Sequence, residues 1–350
     1  MTLALLLILL QAGVDGETAP AEREKERLRS KPLLTAEQKA AYASPAPPPA
    51  KPRAPYVLAV VPLEFSDRKL AGKDVAAKVV AGLTDYYAKA SSGRFKLDAK
   101  LRDAVTLDLD RERFERKDLE KAMGGMPACD GIAFVAAGGL VTRQAPLWPH
   151  RGVVKSGERE LDYLLVPEEA SGAIVAHEFM HLLGFADKYD DEKASVADAC
   201  ILGTGYSVRK PPPPCAECRV QLGWTAASVV DPSTPASLTL TADLSRALQI
   251  NLTPEGDETL LLELRDRLLI WHTGGGKKIE LIGRFPSETS DRLTPLSEPS
   301  FRGRSLGART VWITDIRIQD GQAWFQVSAD AAPTPFEEWR RSRVGKRLGD

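Results

Sequence analysis

The chain has 350 residues, 43% of them hydrophobic and 27% charged, with 25 Pro and 27 Gly. That balance excludes collagen-like, low-complexity and wholly disordered chains and allows about two domains, each able to bury a core without disulfides. Forty-seven basic against 48 acidic residues leave a net charge of -1, too little to gather phosphate backbones, so nucleic acid is not an expected partner.

The chain opens on an apolar run at residues 3–10, about half of the roughly 20 residues that a spanning helix needs, so no membrane span is expected. The run reads as the h-region of a signal peptide covering 1–16, which makes the protein secreted, periplasmic or otherwise extracellular. Residues 17–55 are charged and Ala-rich, then proline-rich, with six Pro between 45 and 55: a stiff linker, with a pro-region as the other reading.

Folded structure is expected from Tyr56, where the apolar run 56–63 has the length of a buried strand. Val75, Val79, Val80, Leu83, Tyr86 and Tyr87 recur at helical spacing over 74–90, before Ser91-Ser92-Gly93. Alternating stretches in 95–109 and an apolar run at 131–137 predict strands around a short helix, and 161–166 predicts one more strand before an apolar helix over 173–185. Beyond 235 the texture changes to short alternating runs at 237–241, 248–252, 259–264, 268–271, 278–282 and 310–327. Asp320-Gly321 inside the last run is a tight hairpin turn. The organisation expected is an α+β region at 56–235, a β-sandwich-like domain at 236–330 and a basic tail at 331–350.

Chemistry concentrates in His177-Glu178-Phe179-Met180-His181, followed by Gly184 and Asp187. Four residues on a helix bring two imidazoles to one face, where both can bind one Zn2+. Glu178 lies one step round, and a carboxylate beside a zinc ion can take a proton from the water that attacks a carbonyl. Gly184 lets the chain leave the helix in a left-handed turn and brings a third ligand back. Asp187 is the expected third ligand, with Asp190 and Asp191 as neighbours able to approach the same ion. A His-Glu-x-x-His match arises by chance only about 0.003 times in such a chain. Tyr189 and Tyr206 are candidate donors to a developing oxyanion, and His150 and His272 read as structural.

The pattern His-Glu-x-x-His-x-x-Gly-x-x-Asp at 177–187 resembles that of the immune inhibitor A family of secreted zinc metallopeptidases, relatives of the metzincins. Similar flanks occur in Leu147-Trp148-Pro149-His150-Arg151, Lys188-Tyr189-Asp190 and Val220-Gln221-Leu222-Gly223-Trp224, and weaker ones in Gly93-Arg94-Phe95, Asp130-Gly131-Ile132 and Leu268-Leu269-Ile270-Trp271-His272, so the similarity spans 56–330. The resemblance implies a zincin-like (metzincin-type) catalytic domain at 56–235. One departure is plain: the four methionines are Met1, Met123, Met126 and Met180, so the methionine of the metzincin turn is missing. Leu202, in Cys200-Ile201-Leu202-Gly203, is its counterpart of similar volume.

The four cysteines, Cys129, Cys200, Cys215 and Cys218, allow three full pairings. Structural disulfides lead, a structural zinc site using Cys215-Ala216-Glu217-Cys218 comes second and a redox pair last. The expectation is a monomeric zinc endopeptidase with His177, His181 and Asp187 on one Zn2+ and Glu178 as general base, acting on a protein or peptide substrate. Calcium has no sequence support. The substrate is expected to add as a strand near 132–137. The alternatives are a catalytically silent zincin scaffold serving as an adhesin or interaction module, and a zinc hydrolase of non-peptide amides.

Overall fold

The computed structural model describes residues 55–72, 74–139, 145–157, 159–189, 196–207, 210–230, 236–252, 256, 258–274, 277–285, 300–304 and 310–329. The apolar N-terminal run, the proline-rich segment and the basic tail lie outside these residues, as do Asp190 and Asp191. Among the described residues the chain is mixed α and β with strands predominating, and no helix is long and apolar enough to cross a membrane.

The first sheet is built from β1 (Tyr56–Phe65), β2 (Leu97–Leu101), β3 (Val105–Leu107), β4 (Gly131–Ala136), β5 (His150–Ser156) and β6 (Arg159–Pro167). Its order is β2-β1-β4-β6-β5, with β3 also on β1. All pairings are parallel except that of β5 with β6, which is antiparallel. Because side chains alternate across a strand, the sheet feeds two cores. Leu58, Val60, Ala133, Val135, Leu164 and Val166 face one, and Val61, Leu63, Ile132, Phe134 and Leu165 face the other.

The first core is closed by α1 (Val75–Ala90) and α2 (Gly172–Leu182), whose Tyr87, Phe179 and Met180 pack there with Phe95 and Trp224. The second is closed by Phe114, Leu119 and Met123 around a 3-10 stretch, Arg116–Met123. Gly131 opens β4 where a Cβ would lie 2.4 Å from the Tyr56 hydroxyl, so only glycine permits that approach. Strand β4 is buried along its whole length between β1 and β6. It has no free edge, which overturns the expectation that a substrate adds near 132–137. The outer strands are β2, with β3, on one side and β5 on the other, where Val153 is 56% exposed.

A short helix, α3 (Ala216–Gln221), leads into two further sheets. One contains β7 (Ala226–Val230), β9 (Arg246–Asn251), β10 (Glu258–Leu264), β11 (Leu268–Gly274) and β12 (Lys277–Phe285), in the order β12-β11-β10-β9-β7. The other contains β8 (Ala236–Thr241), β13 (Ser300–Arg304), β14 (Thr310–Gln319) and β15 (Gln322–Ala329), in the order β13-β14-β15-β8. They share a core of Leu240, Ile250, Leu260, Leu262, Ile313 and Phe325, which fits a sandwich loosely. Asp320 and Gly321 take φ of 50° and 71° in the β14–β15 hairpin, as a two-residue turn demands. Strand β7 pairs with β9, so this sheet begins before residue 236. Leu261, Leu269, Trp271 and Ile279 turn their backs on the sandwich and join the core of α2.

Candidate metal centre

Helix α2 begins at Ser171, whose hydroxyl accepts the Ile174 N–H at 3.3 Å. It is apolar nearly all round and buried from Val175 to Leu182, so its two histidines are held in the core and kept from solvent. The helix ends as Gly184 requires. Gly184 takes φ 90°, its N–H donates to His181 O at 3.0 Å and the Phe185 N–H donates to Met180 O at 3.2 Å, a Schellman arrangement. That reversal turns Asp187 back over the helix.

His177 Nε2 and His181 Nε2 are 3.2 Å apart, and Asp187 Oδ1 lies 3.1 Å from the first and 3.5 Å from the second. Ligands about 2.0 to 2.1 Å from a tetrahedral zinc ion sit about 3.3 Å from one another. The other ring nitrogens are engaged: His177 Nδ1 with Ile201 O at 2.8 Å and His181 Nδ1 with Phe185 O at 2.7 Å. Nδ1–H donation to those carbonyls turns both Nε2 lone pairs inward. Asp187 Oδ1 is buried without a directed hydrogen bond. Three such groups crowding one point could hold a metal ion, and two nitrogens with a carboxylate are among the ligand sets that zinc accepts.

Electrostatics agree. Burial works against the charged form of His181, yet Asp187 outweighs it and lifts the imidazole pKa to about 9. A metal ion taking this place would have to displace that proton. Burial would raise the Asp187 carboxyl, but His181 and then His177 hold it well below the carboxylate range. Burial pushes the Glu178 carboxyl above its usual value, against the pull of His181 and His177.

The structure thus brings His177, His181, Asp187 and Glu178 together. Tyr189 stacks on the His177 ring, centroids 6.3 Å apart and planes at 27°, while the Tyr206 side chain lies outside the described residues. Leu202 is fully buried in the core beneath, and its carbonyl accepts the Lys188 N–H at 2.9 Å. His150 Nδ1 meets Trp148 O at 2.6 Å and its Nε2 the Tyr163 hydroxyl at 3.1 Å, and His272 Nε2 meets Glu258 at 2.7 Å, so both have structural partners. The carbonyls of Ile201 and Phe185 escaped the sequence reading because backbone atoms leave no sequence signal.

The expected disulfides are not formed, and none of the four cysteines is disulfide-bonded. Cys129 packs on the second core, across the sheet from the other three, which sit in the first. No family model matches this chain, and no curated protein matches it.

Proposed function

We propose that the protein is a zinc-dependent endopeptidase with a zincin-like catalytic region, related to the immune inhibitor A metallopeptidases and exported through residues 1–16. The convergence of His177 Nε2, His181 Nε2 and Asp187 Oδ1 within 3.1 to 3.5 Å carries this reading. Those three residues would hold one Zn2+, which when bound supplies Lewis acidity to a scissile carbonyl and to water.

The chain's own groups do the rest. Glu178, adjacent in sequence to one ligand and buried, takes a proton from the attacking water and returns it to the leaving amine. The carbonyls of Ile201 and Phe185 fix the imidazole tautomers. An extended peptide adds to the free edge of β5, the antiparallel margin of a sheet on whose face α2 packs. A parallel sheet with one antiparallel edge strand beside the motif helix supports the zincin-like assignment.

The test is to incubate a mixture of unfolded proteins with zinc-loaded wild type and Glu178→Gln and to identify new peptide ends by mass spectrometry. New ends from wild type, at least 100-fold fewer with the variant, are expected. Equal yields from both, with zinc bound to each, would sink the peptidase reading in favour of a silent scaffold.

A further inference from the structure

Three of the four cysteines form a second cluster, in the same core as Leu202. Cys200 follows the 3-10 turn Ala197–Ala199, Cys215 caps α3 and Cys218 lies in its first turn. All three are fully buried. Their sulfurs lie within 4.8 Å of one another, with Cys215 Sγ and Cys218 Sγ 3.4 Å apart, and Cys200 Sγ accepts the Cys215 N–H at 3.2 Å. Sulfurs about 2.3 Å from a tetrahedral zinc ion sit about 3.8 Å apart, inside that range.

Cationic side chains surround the sulfurs. Lys188 Nζ pairs with Glu217 at 2.6 Å, and Arg219 and Arg265 share the buried Glu263 at 2.5 and 2.7 Å. The Tyr86 hydroxyl donates to Pro212 O at 2.6 Å and stays neutral. Cations this close to three sulfurs favour thiolates over thiols, and thiolates are the form that binds a metal ion.

We propose that Cys200, Cys215 and Cys218 hold a structural zinc ion through three thiolates, and that this ion anchors the segment whose carbonyls orient the His177 centre. The anchoring follows from chain connectivity. Cys200 is followed directly by Ile201, whose carbonyl meets His177, and by Leu202, whose carbonyl takes the Lys188 N–H next to Asp187. The sulfur site rests on its own geometry and stands whether or not the chain cleaves peptides.

The full chain, purified with zinc, is analysed for metal content and by zinc X-ray absorption. Wild type should carry about two zinc ions per chain, and His177→Ala/His181→Ala about one, with a sulfur shell near 2.3 Å and one lighter fourth neighbour. Cys215→Ser/Cys218→Ser should lose that ion and bind zinc at the histidine centre about 10-fold or more weakly. The wild-type spectrum tests the sulfur shell without relying on any variant folding. A wild type with no zinc–sulfur scattering, or one whose mass shows a Cys215–Cys218 disulfide, would overturn the proposal.

Discussion

Replacing Glu263 by Gln tests the buried junction on which α3 rests. Glu263 is 1% exposed and accepts from Arg219 Nη2 at 2.5 Å, Arg265 Nη2 at 2.7 Å and Trp271 Nε1 at 2.8 Å. Arg219, in turn, is 0% exposed. The amide keeps the shape but removes the charge that two guanidiniums share. Burial alone would raise the Glu263 carboxyl, but Arg219 and then Arg265 outweigh it and bring the pKa from 4.5 to about 2. That gap corresponds to about 3 kcal/mol in favour of the ionised form, and breaking a buried pair by removing one partner costs about 3 to 5 kcal/mol. Urea unfolding at pH 7, followed by tryptophan fluorescence, should show the variant less stable by about 3 kcal/mol or more. Because the folded pKa is depressed, the wild-type advantage is complete above pH 4.5 and drains away as the pH falls towards about 2. A loss below about 1 kcal/mol, the size expected of an exposed ion pair, would refute the reasoning. So would a gap that fails to narrow in acid.

Two smaller perturbations probe the frame of the site. At Gly203 a Cβ would stand 2.1 Å from the Ala197 carbonyl oxygen, so Gly203→Ala must shift the backbone directly after Leu202. We expect about 2 kcal/mol less stability and about tenfold weaker zinc binding in competition with a chromophoric chelator, whereas wild-type affinity would show that this loop does not orient His177. Burial lowers the His150 imidazole to a pKa of about 4, against the Trp148 carbonyl. The folded state therefore keeps it neutral while the unfolded chain protonates near 6.5. Stability should be complete above that pH and fall by about 3 kcal/mol as the pH drops to about 4. His150→Gln should flatten that decline, and parallel curves for the two proteins would dismiss the assignment.

The central strands and the motif helix were readable because burial on both faces writes uninterrupted apolar runs, as in Ile132-Ala133-Phe134-Val135. The same feature misled where a free edge was sought, since a run apolar on both faces marks the middle of a sheet. One of the two outer strands, β5, is the mixed string His150-Arg151-Gly152-Val153-Val154-Lys155-Ser156, whose exposed side erases the signal. Strand β7, Ala226 to Val230, is short and mostly exposed and was missed likewise. Asp187 was legible because Gly184 announces the turn that returns it. Of the thiol cluster, Cys215 and Cys218 announce themselves by spacing, but Cys200 joins them only once the chain folds back from α2. The cysteines' late position in a chain read as exported pointed to disulfides, and position along the chain does not show that Cys129 lies across a sheet from the other three.

The five-stranded sheet is sealed on both sides, with Leu260 and Ile270 towards the sandwich and Leu261 and Trp271 towards α2. A wall shared between two interiors leaves no plane along which one half can rotate against the other. Evolution could not shuffle the β-rich half as an independent module either, because removing it would strip the back from the core that carries the histidines.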